Sequence, residues 1–97
     1  MAKDCKKISE KTIETHLVWR AELMGGKAYK FTSPSQRGVA DRVVCLPNGS
    51  TWFVELKTID GKLSPLQVQF AATMTRLNQN YAVFRSTEEI DQWAARL

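Results

Sequence analysis

Apolar residues recur along the chain with two different periods, which predict alternating helices and strands. Helical spacing of Ile13, Leu17 and Ala21 predicts a helix over residues 9–24, ended by Gly25-Gly26. Residues 64–78 and 86–97 are predicted as helices because each opens with a serine N-cap followed three residues later by Gln or Glu. Runs rich in Val and aromatic side chains predict strands at 27–32, 41–46, 51–57 and 81–85. The order α-β-β-β-α-β-α predicts one α/β domain over residues 1–97, with a mixed sheet flanked by helices.

The connection between the two central strands, "PNGS", allows two turn geometries. A two-residue turn on Asn48-Gly49 would pair Pro47 with Ser50 at a position that needs a backbone N–H, which proline lacks. A three-residue loop over 47–49 instead gives proline the first turn position and places glycine in the left-handed conformation that it adopts easily. The proline therefore favours the three-residue loop.

The two geometries predict different neighbours for Glu55, because a one-residue slip moves every side chain to the other face of the sheet. The two-residue turn sets Arg42 against Glu55 as an ordinary ion pair. The three-residue loop sets Asp41 directly against Glu55, with Lys57 two residues along the same face. The favoured loop thus predicts two adjacent carboxylates with an ammonium group beside them.

Two opposed carboxylates repel each other unless a cation lies between them. Mg²⁺ is the expected cation because it prefers carboxylate oxygens and completes its octahedron with further oxygens. The backbone carbonyl of Leu56 could supply one of these. Lys57 could then orient a water molecule or stabilise charge that develops on a phosphate. Asp41 and Glu55 are therefore candidate metal ligands.

The charge distribution suggests a polyanionic partner. The net charge is +4, and residues 1–42 hold nine Lys or Arg against five acids. Nucleic acid is the first candidate partner, although a solvated basic surface explains the charge equally well. The candidate phosphate-binding residues are Lys30, Arg37, Arg42 and Lys62.

Other classes of protein are disfavoured. No apolar run approaches the roughly 20 residues that a membrane span needs, and the charged N-terminus has no signal-peptide core. Cys5 and Cys45 are expected to be reduced thiols, and one His with two distant Cys cannot form a structural zinc site. We therefore expect a cytoplasmic protein.

Four motifs together resemble a known nuclease family. Asp41, thirteen intervening residues and the triplet "ELK" at 55–57 resemble the PD-(D/E)XK nuclease core. The wider set "RGVADRVV", "FVELKT" and "GKLSPLQ" resembles the VRR-NUC domain in its small stand-alone form, over residues 14–85. The resemblance implies a restriction-endonuclease-like fold, in a protein of phage or bacterial type. The family usually has proline where this chain has Ala40, which lowers the expected preorganisation of Asp41.

The resemblance also implies roles for individual residues. Asp41 and Glu55 match the metal-binding acids, Lys57 the catalytic lysine, and Gln67 a glutamine that opens the next helix. Glu14 matches an acid of the first helix that faces the metal, although it could instead form an ordinary ion pair. Helix capping alone would also explain Gln67.

The activity that the resemblance implies is Mg²⁺- or Mn²⁺-dependent cleavage of DNA, with branched or four-way-junction substrates in replication or repair. It also implies a symmetric homodimer. The alternative is a non-catalytic nucleic-acid-binding module with the same fold, but binding alone would not require two repelling acids.

Overall fold

A computed structural model describes residues 7–97, so Cys5 lies outside the described part of the chain. The predicted element order is confirmed. The elements are α1 (Glu10–Leu23), β1 (Lys27–Lys30), β2 (Arg42–Cys45), β3 (Thr51–Leu56), α2 (Pro65–Arg76), β4 (Asn80–Phe84) and α3 (Thr87–Ala95). Within this range, no helix combines the length and the apolar composition needed to cross a membrane.

The four strands form one mixed sheet in the order β1-β2-β3-β4. The first three are antiparallel neighbours, whereas β4 runs parallel to β3. A parallel neighbour requires a crossover connection, and α2 provides it. The end of β3 and the start of α2 consequently lie at the same end of the sheet.

The three-residue hairpin loop is confirmed. Val43 pairs with Phe53, and the ladder closes with the Leu46 N–H donating to the Ser50 carbonyl at 3.0 Å. The N–H of Gly49 donates to the Leu46 carbonyl at 2.9 Å, and Gly49 has a φ of 88°. This left-handed conformation is the one that the bulge position of such a loop requires.

The two faces of the sheet are covered to different degrees. One face packs against α1 and α3 and carries the core, whose largest fully buried apolar side chains are Ile13, Leu17, Ile90, Val44 and Val54. The other face carries α2, every residue of which is at least partly exposed. Phe70 anchors α2 there, with ring centroids 6.0 Å from Phe53 and 6.2 Å from Tyr81.

Helix capping agrees with the sequence prediction at α2 and only in part at α3. At α2, Ser64 and Gln67 form the complete predicted capping box. At α3, Ser86 accepts a hydrogen bond from the Glu89 N–H at 3.1 Å. The Glu89 carboxylate, however, accepts from the Arg85 N–H at 2.6 Å, so the predicted reciprocal bond to Ser86 is replaced by a bond one residue earlier.

Candidate active site

Asp41 and Glu55 lie on the same face of the sheet, at the end where α2 begins. The β2–β3 ladder ends with Arg42 opposite Val54, and Asp41 and Glu55 are the next residues beyond this pair. The N–H of Asp41 donates to the Val54 carbonyl at 3.0 Å, and Asp41 Oδ2 accepts from the Leu56 N–H at 2.8 Å. The side chain of Asp41 is therefore held by the backbone of β3, even though Ala40 replaces the expected proline.

Glu55 is a buried carboxyl group next to a second acid. Its side chain is only 2% exposed. Burial, the hydrogen bond with Asp41 and the charge of Asp41 raise the pKa of Glu55 to about 8, while the nearby charge of Lys57 acts in the opposite direction. The site thus holds a group that resists ionisation until a cation or another positive charge compensates it.

Gln67 joins the N-terminus of α2 to this carboxyl group. Its amide nitrogen Nε2 donates to Glu55 Oε2 at 3.0 Å. Its other amide atom, Oε1, accepts from the Ser64 N–H at 2.8 Å in the capping box. The capping and site-contact interpretations of Gln67 are therefore compatible, because the two ends of one amide serve both purposes.

A close approach at Gly38 fixes α2 against the segment that leads into Asp41. Gly38 has a φ of 83°, and a Cβ atom there would lie 2.7 Å from the Cβ and carbonyl carbon atoms of Leu66. Only glycine allows the two backbones to come so close without displacement. This contact sets the position of Gln67 relative to Asp41.

Lys57 follows Glu55 by two residues and lies close enough for its charge to lower the pKa of that carboxyl group. Its backbone N–H donates to the Phe84 carbonyl at 3.1 Å, which extends the pairing of β3 with β4. The next segment is held by Arg85, whose guanidinium donates to the Thr58 carbonyl at 2.9 Å and to the Gly61 carbonyl. Arg85 is thus a structural residue that the sequence did not reveal.

The structure places Glu14 against Arg42. Arg42 Nη2 lies 2.7 Å from Glu14 Oε2, and its Nη1 donates to the Ala28 carbonyl at 3.0 Å. The alternative ion pair between Arg42 and Glu55 is wrong, because the three-residue loop turns Arg42 toward the α1 face. The guanidinium of Arg42, predicted from the sequence to bind nucleic acid, is therefore bound to Glu14 and to the Ala28 carbonyl instead. Glu14 stays a predicted ligand, and both of its contacts with Arg42 are made through Oε2.

Sequence reasoning missed two residues near the site. The charge of Glu10, one turn before Glu14 on α1, contributes to the raised pKa of Glu55. The Tyr81 hydroxyl is buried and has no hydrogen-bond partner among residues 7–97. Burial, followed by the charges of Glu55 and Asp41, raises the pKa of Tyr81 to about 12. The four-residue spacing could have identified Glu10, whereas Tyr81 requires knowledge of the β3–β4 register.

The remaining predicted phosphate-binding residues are exposed. Lys30 ends β1, Arg37 lies in the loop before β2, and Lys62 lies in the loop before α2. All three segments adjoin the end of the sheet that carries the acid pair, because β1 and β3 end there and β2 begins there. Residues 7–97 contain no cluster of three His, Cys, Asp or Glu side chains arranged to hold a metal ion, so backbone or substrate oxygens would have to complete a site on the acid pair.

A mixed sheet with an acid at the start of one strand and Glu-x-Lys where the next strand ends is typical of the PD-(D/E)XK class of nucleases. A solved structure described as a VRR_NUC domain superimposes with a TM-score of 0.82 at 28% identity, covering 86% of this chain and 90% of that one. The phage protein "Putative nuclease p44" of Acyrthosiphon pisum secondary endosymbiont phage 1 is 44% identical over 81 residues, which are 84% of this chain and 87% of the relative. No family model matches the chain. On these similarities, the chain belongs to the VRR-NUC family of nucleases.

Proposed function

We propose that the protein is a Mg²⁺- or Mn²⁺-dependent endonuclease that hydrolyses phosphodiester bonds in DNA. The observation that carries this proposal is the placement of a buried Glu55 against Asp41 with Lys57 beside them. An arrangement that raises the pKa of its own carboxyl group is costly in the absence of a cation. A protein that only binds DNA gains nothing from it.

The residues present fit a hard divalent cation. Asp41 and Glu55 offer carboxylate oxygens, and Leu56, the residue after Glu55, offers a backbone carbonyl. Mg²⁺ prefers oxygen ligands of these kinds. A bound cation would offset both the burial of Glu55 and its repulsion from Asp41. Among the acids of α1, Glu14 is paired with Arg42, whereas the charge of Glu10 contributes to the raised pKa of Glu55, so Glu10 is a second candidate for an α1 acid that acts at the site.

The chain's own residues account for positioning of the reactants and for stabilisation of charge. When bound, the cation supplies Lewis-acid polarisation of the phosphate and neutralises developing charge. Lys57 orients the attacking water and stabilises negative charge on the phosphate oxygens. Gln67 keeps Glu55 in a single orientation through its amide hydrogen bond. In-line attack would leave a 5′-phosphate and a 3′-hydroxyl.

We further propose branched DNA as the substrate and a two-fold homodimer as the active form, in replication or repair. A chain of 97 residues has little surface with which to hold a junction, and a two-fold dimer would present two sites for paired cuts. The exposed basic residues around the acid pair provide the phosphate contacts. Sedimentation analysis, with cleavage of duplex, flap and four-way-junction DNA compared side by side, tests both points.

The catalytic proposal is tested by plasmid nicking with Lys57→Ala. We expect cleavage in Mg²⁺ but not in EDTA, and a loss of about 100-fold or more in the variant, equivalent to at least ~2.7 kcal/mol of transition-state stabilisation. The variant should still be stabilised by Mg²⁺, because both acids remain. Arg76→Ala, which removes an exposed charge at the far end of α2, is the matched control and should cut like wild type.

The result that would favour the binding-module alternative is DNA binding without cleavage in either Mg²⁺ or Mn²⁺. Equal cleavage by wild type and Lys57→Ala would likewise remove Lys57 from the mechanism.

A further inference from the structure

The sheet face that carries the acid pair is only half covered. Phe70 anchors α2 over β3 and β4 and reaches as far as Phe31, the residue after β1, with ring centroids 6.3 Å apart. Tyr29, on β1, is 53% exposed. The acid pair is therefore approached across a strip of open sheet surface.

Tyr29 lies on this strip close to the acids. It pairs with Val43, which lies two residues along β2 from Asp41 on the same face. Two residues of strand span about 7 Å and neighbouring strands lie about 4.8 Å apart, so the backbone of Tyr29 lies about 8 Å from that of Asp41 and about 12 Å from that of Glu55. Phe31 and Phe53, whose ring centroids are 5.8 Å apart, form an aromatic floor between Tyr29 and the α2 helix.

Positive charge accompanies the ring. Lys27 shares its strand and its face, and its Nζ atom lies 6.0 Å from the Tyr29 ring centroid. Arg37 is exposed in the loop at the acid end of the strip. An aromatic ring between basic side chains is the arrangement with which proteins bind single strands, since bases stack on the ring while the cations follow the phosphates.

We propose that Tyr29 stacks on an unpaired base of the substrate next to the cleavage position, with Lys27 on a neighbouring phosphate. A base inside a duplex is already stacked on both sides and offers no free face to the ring, so the contact selects nucleotides outside a duplex. The inference rests on the proposed nuclease function and narrows its substrate to DNA with single-stranded nucleotides beside the cut, such as flaps, overhangs or open junctions.

Trp19 shows that exposure of an aromatic ring is not sufficient for this role. It is also 53% exposed, but it lies on α1, which packs on the opposite face of the sheet. Its ring contacts the ring of His16, at 5.3 Å between centroids, and does not lie on the sheet face that carries Asp41 and Glu55. Trp19 therefore provides a control of equal exposure on the wrong face.

The test measures binding of a labelled oligothymidine and of a fully paired duplex by fluorescence anisotropy in EDTA, where no cleavage occurs. Tyr29→Ala should weaken single-strand binding by about 5- to 150-fold, the range that base stacking on one ring accounts for. Its duplex affinity should stay within about twofold, because phosphate contacts carry that binding. Tyr29→Phe, which keeps the ring, and Trp19→Ala should both bind the single strand like wild type.

Several outcomes would overturn the inference. They are absence of single-strand binding by wild type, an equal loss for single strand and duplex in Tyr29→Ala, or no loss at all. If Tyr29→Ala instead converts a wild-type dimer to a monomer with unchanged DNA affinity, the strip is an interface between copies. Because the assay requires no catalysis, failure of the nuclease proposal would show separately as absence of cleavage by wild type in Mg²⁺.

Discussion

Glu55→Gln should stabilise the metal-free protein, and the gain should grow with pH. The pKa of Glu55 is raised from 4.5 to about 8 in the folded state, mainly by burial and then by Asp41. The native protein consequently binds this proton more tightly than the unfolded chain does. The contribution of the neutral carboxyl group is fully present below pH 4.5 and is lost as the pH rises toward 8.

The magnitude follows from the width of this window. Each pH unit between the two pKa values lowers the free energy of unfolding by about 1.36 kcal/mol. This contribution of Glu55 to the free energy of unfolding of wild type should therefore fall by about 3 kcal/mol between pH 4.5 and pH 7. The amide that Glu55→Gln introduces carries no charge at any pH and can still accept from Gln67 and donate to Asp41. The variant should therefore match wild type near pH 5 and exceed it increasingly toward pH 8.

The assay is urea unfolding in EDTA, followed by tryptophan fluorescence at intervals from pH 5 to pH 9. Glu22→Gln, which removes an exposed carboxyl group of α1, is the control and should parallel wild type. Adding Mg²⁺ should reverse the order, since a ligand stabilises only the protein that retains its site. If Glu55→Gln unfolds at lower urea than wild type at pH 8 in EDTA, the reasoning about the acid pair is refuted.

Two other variants test how the site is held together. Gln67→Glu keeps an acceptor for the Ser64 N–H but replaces the amide that donates to Glu55 with a carboxylate. Because two acids then face each other, the variant should cleave DNA more slowly and have a lower free energy of unfolding at pH 8 without metal. Unchanged cleavage would mean that Gln67 acts only as a helix cap. Gly38→Ala forces a Cβ against Leu66 at a positive φ and should cost more, in unfolding free energy measured with urea, than Gly49→Ala, which has a similar φ but nothing within 4 Å. The Gly49 variant should lose about 1 kcal/mol from backbone strain alone and keep full cleavage; equal losses in both variants would contradict the proposed role of the Gly38–Leu66 contact.

The parts of the structure that the sequence predicts well are those governed by local chemistry. Proline at position 47 excludes one hairpin geometry, and the β2–β3 register that remains places Asp41 and Glu55 next to each other, just beyond the Arg42–Val54 pair. The capping box at α2 likewise follows from residues three positions apart. In both cases the decisive atoms are neighbours along the chain, so no knowledge of tertiary packing is needed.

The parts that the sequence does not predict depend on how separate elements are rotated against one another. The hydrophobic pattern of α1 places Glu14 beside the apolar stripe but does not say which strand residue it meets, and it meets Arg42. Tyr81 reaches the site face only through the parallel pairing of Phe53 with Tyr81, across a crossover. The length of β1 also differs, since the strand ends at Lys30 rather than at residue 32.

The uneven burial of the two sheet faces explains how so small a domain tolerates a repelling acid pair. The fully buried apolar core lies between the sheet and the helices α1 and α3, whereas the face that carries Glu55 is covered by partly buried aromatic side chains. On that face α2 is held by the packing of Phe70 on Phe53 and Tyr81, and also by the Gln67–Glu55 hydrogen bond and the Gly38–Leu66 contact. A hydrogen bond to an ionised carboxylate is stronger than one to a neutral carboxyl group. Ionisation of Glu55 beside a bound cation should therefore also tighten the attachment of α2, so that cation binding and ordering of the site support each other.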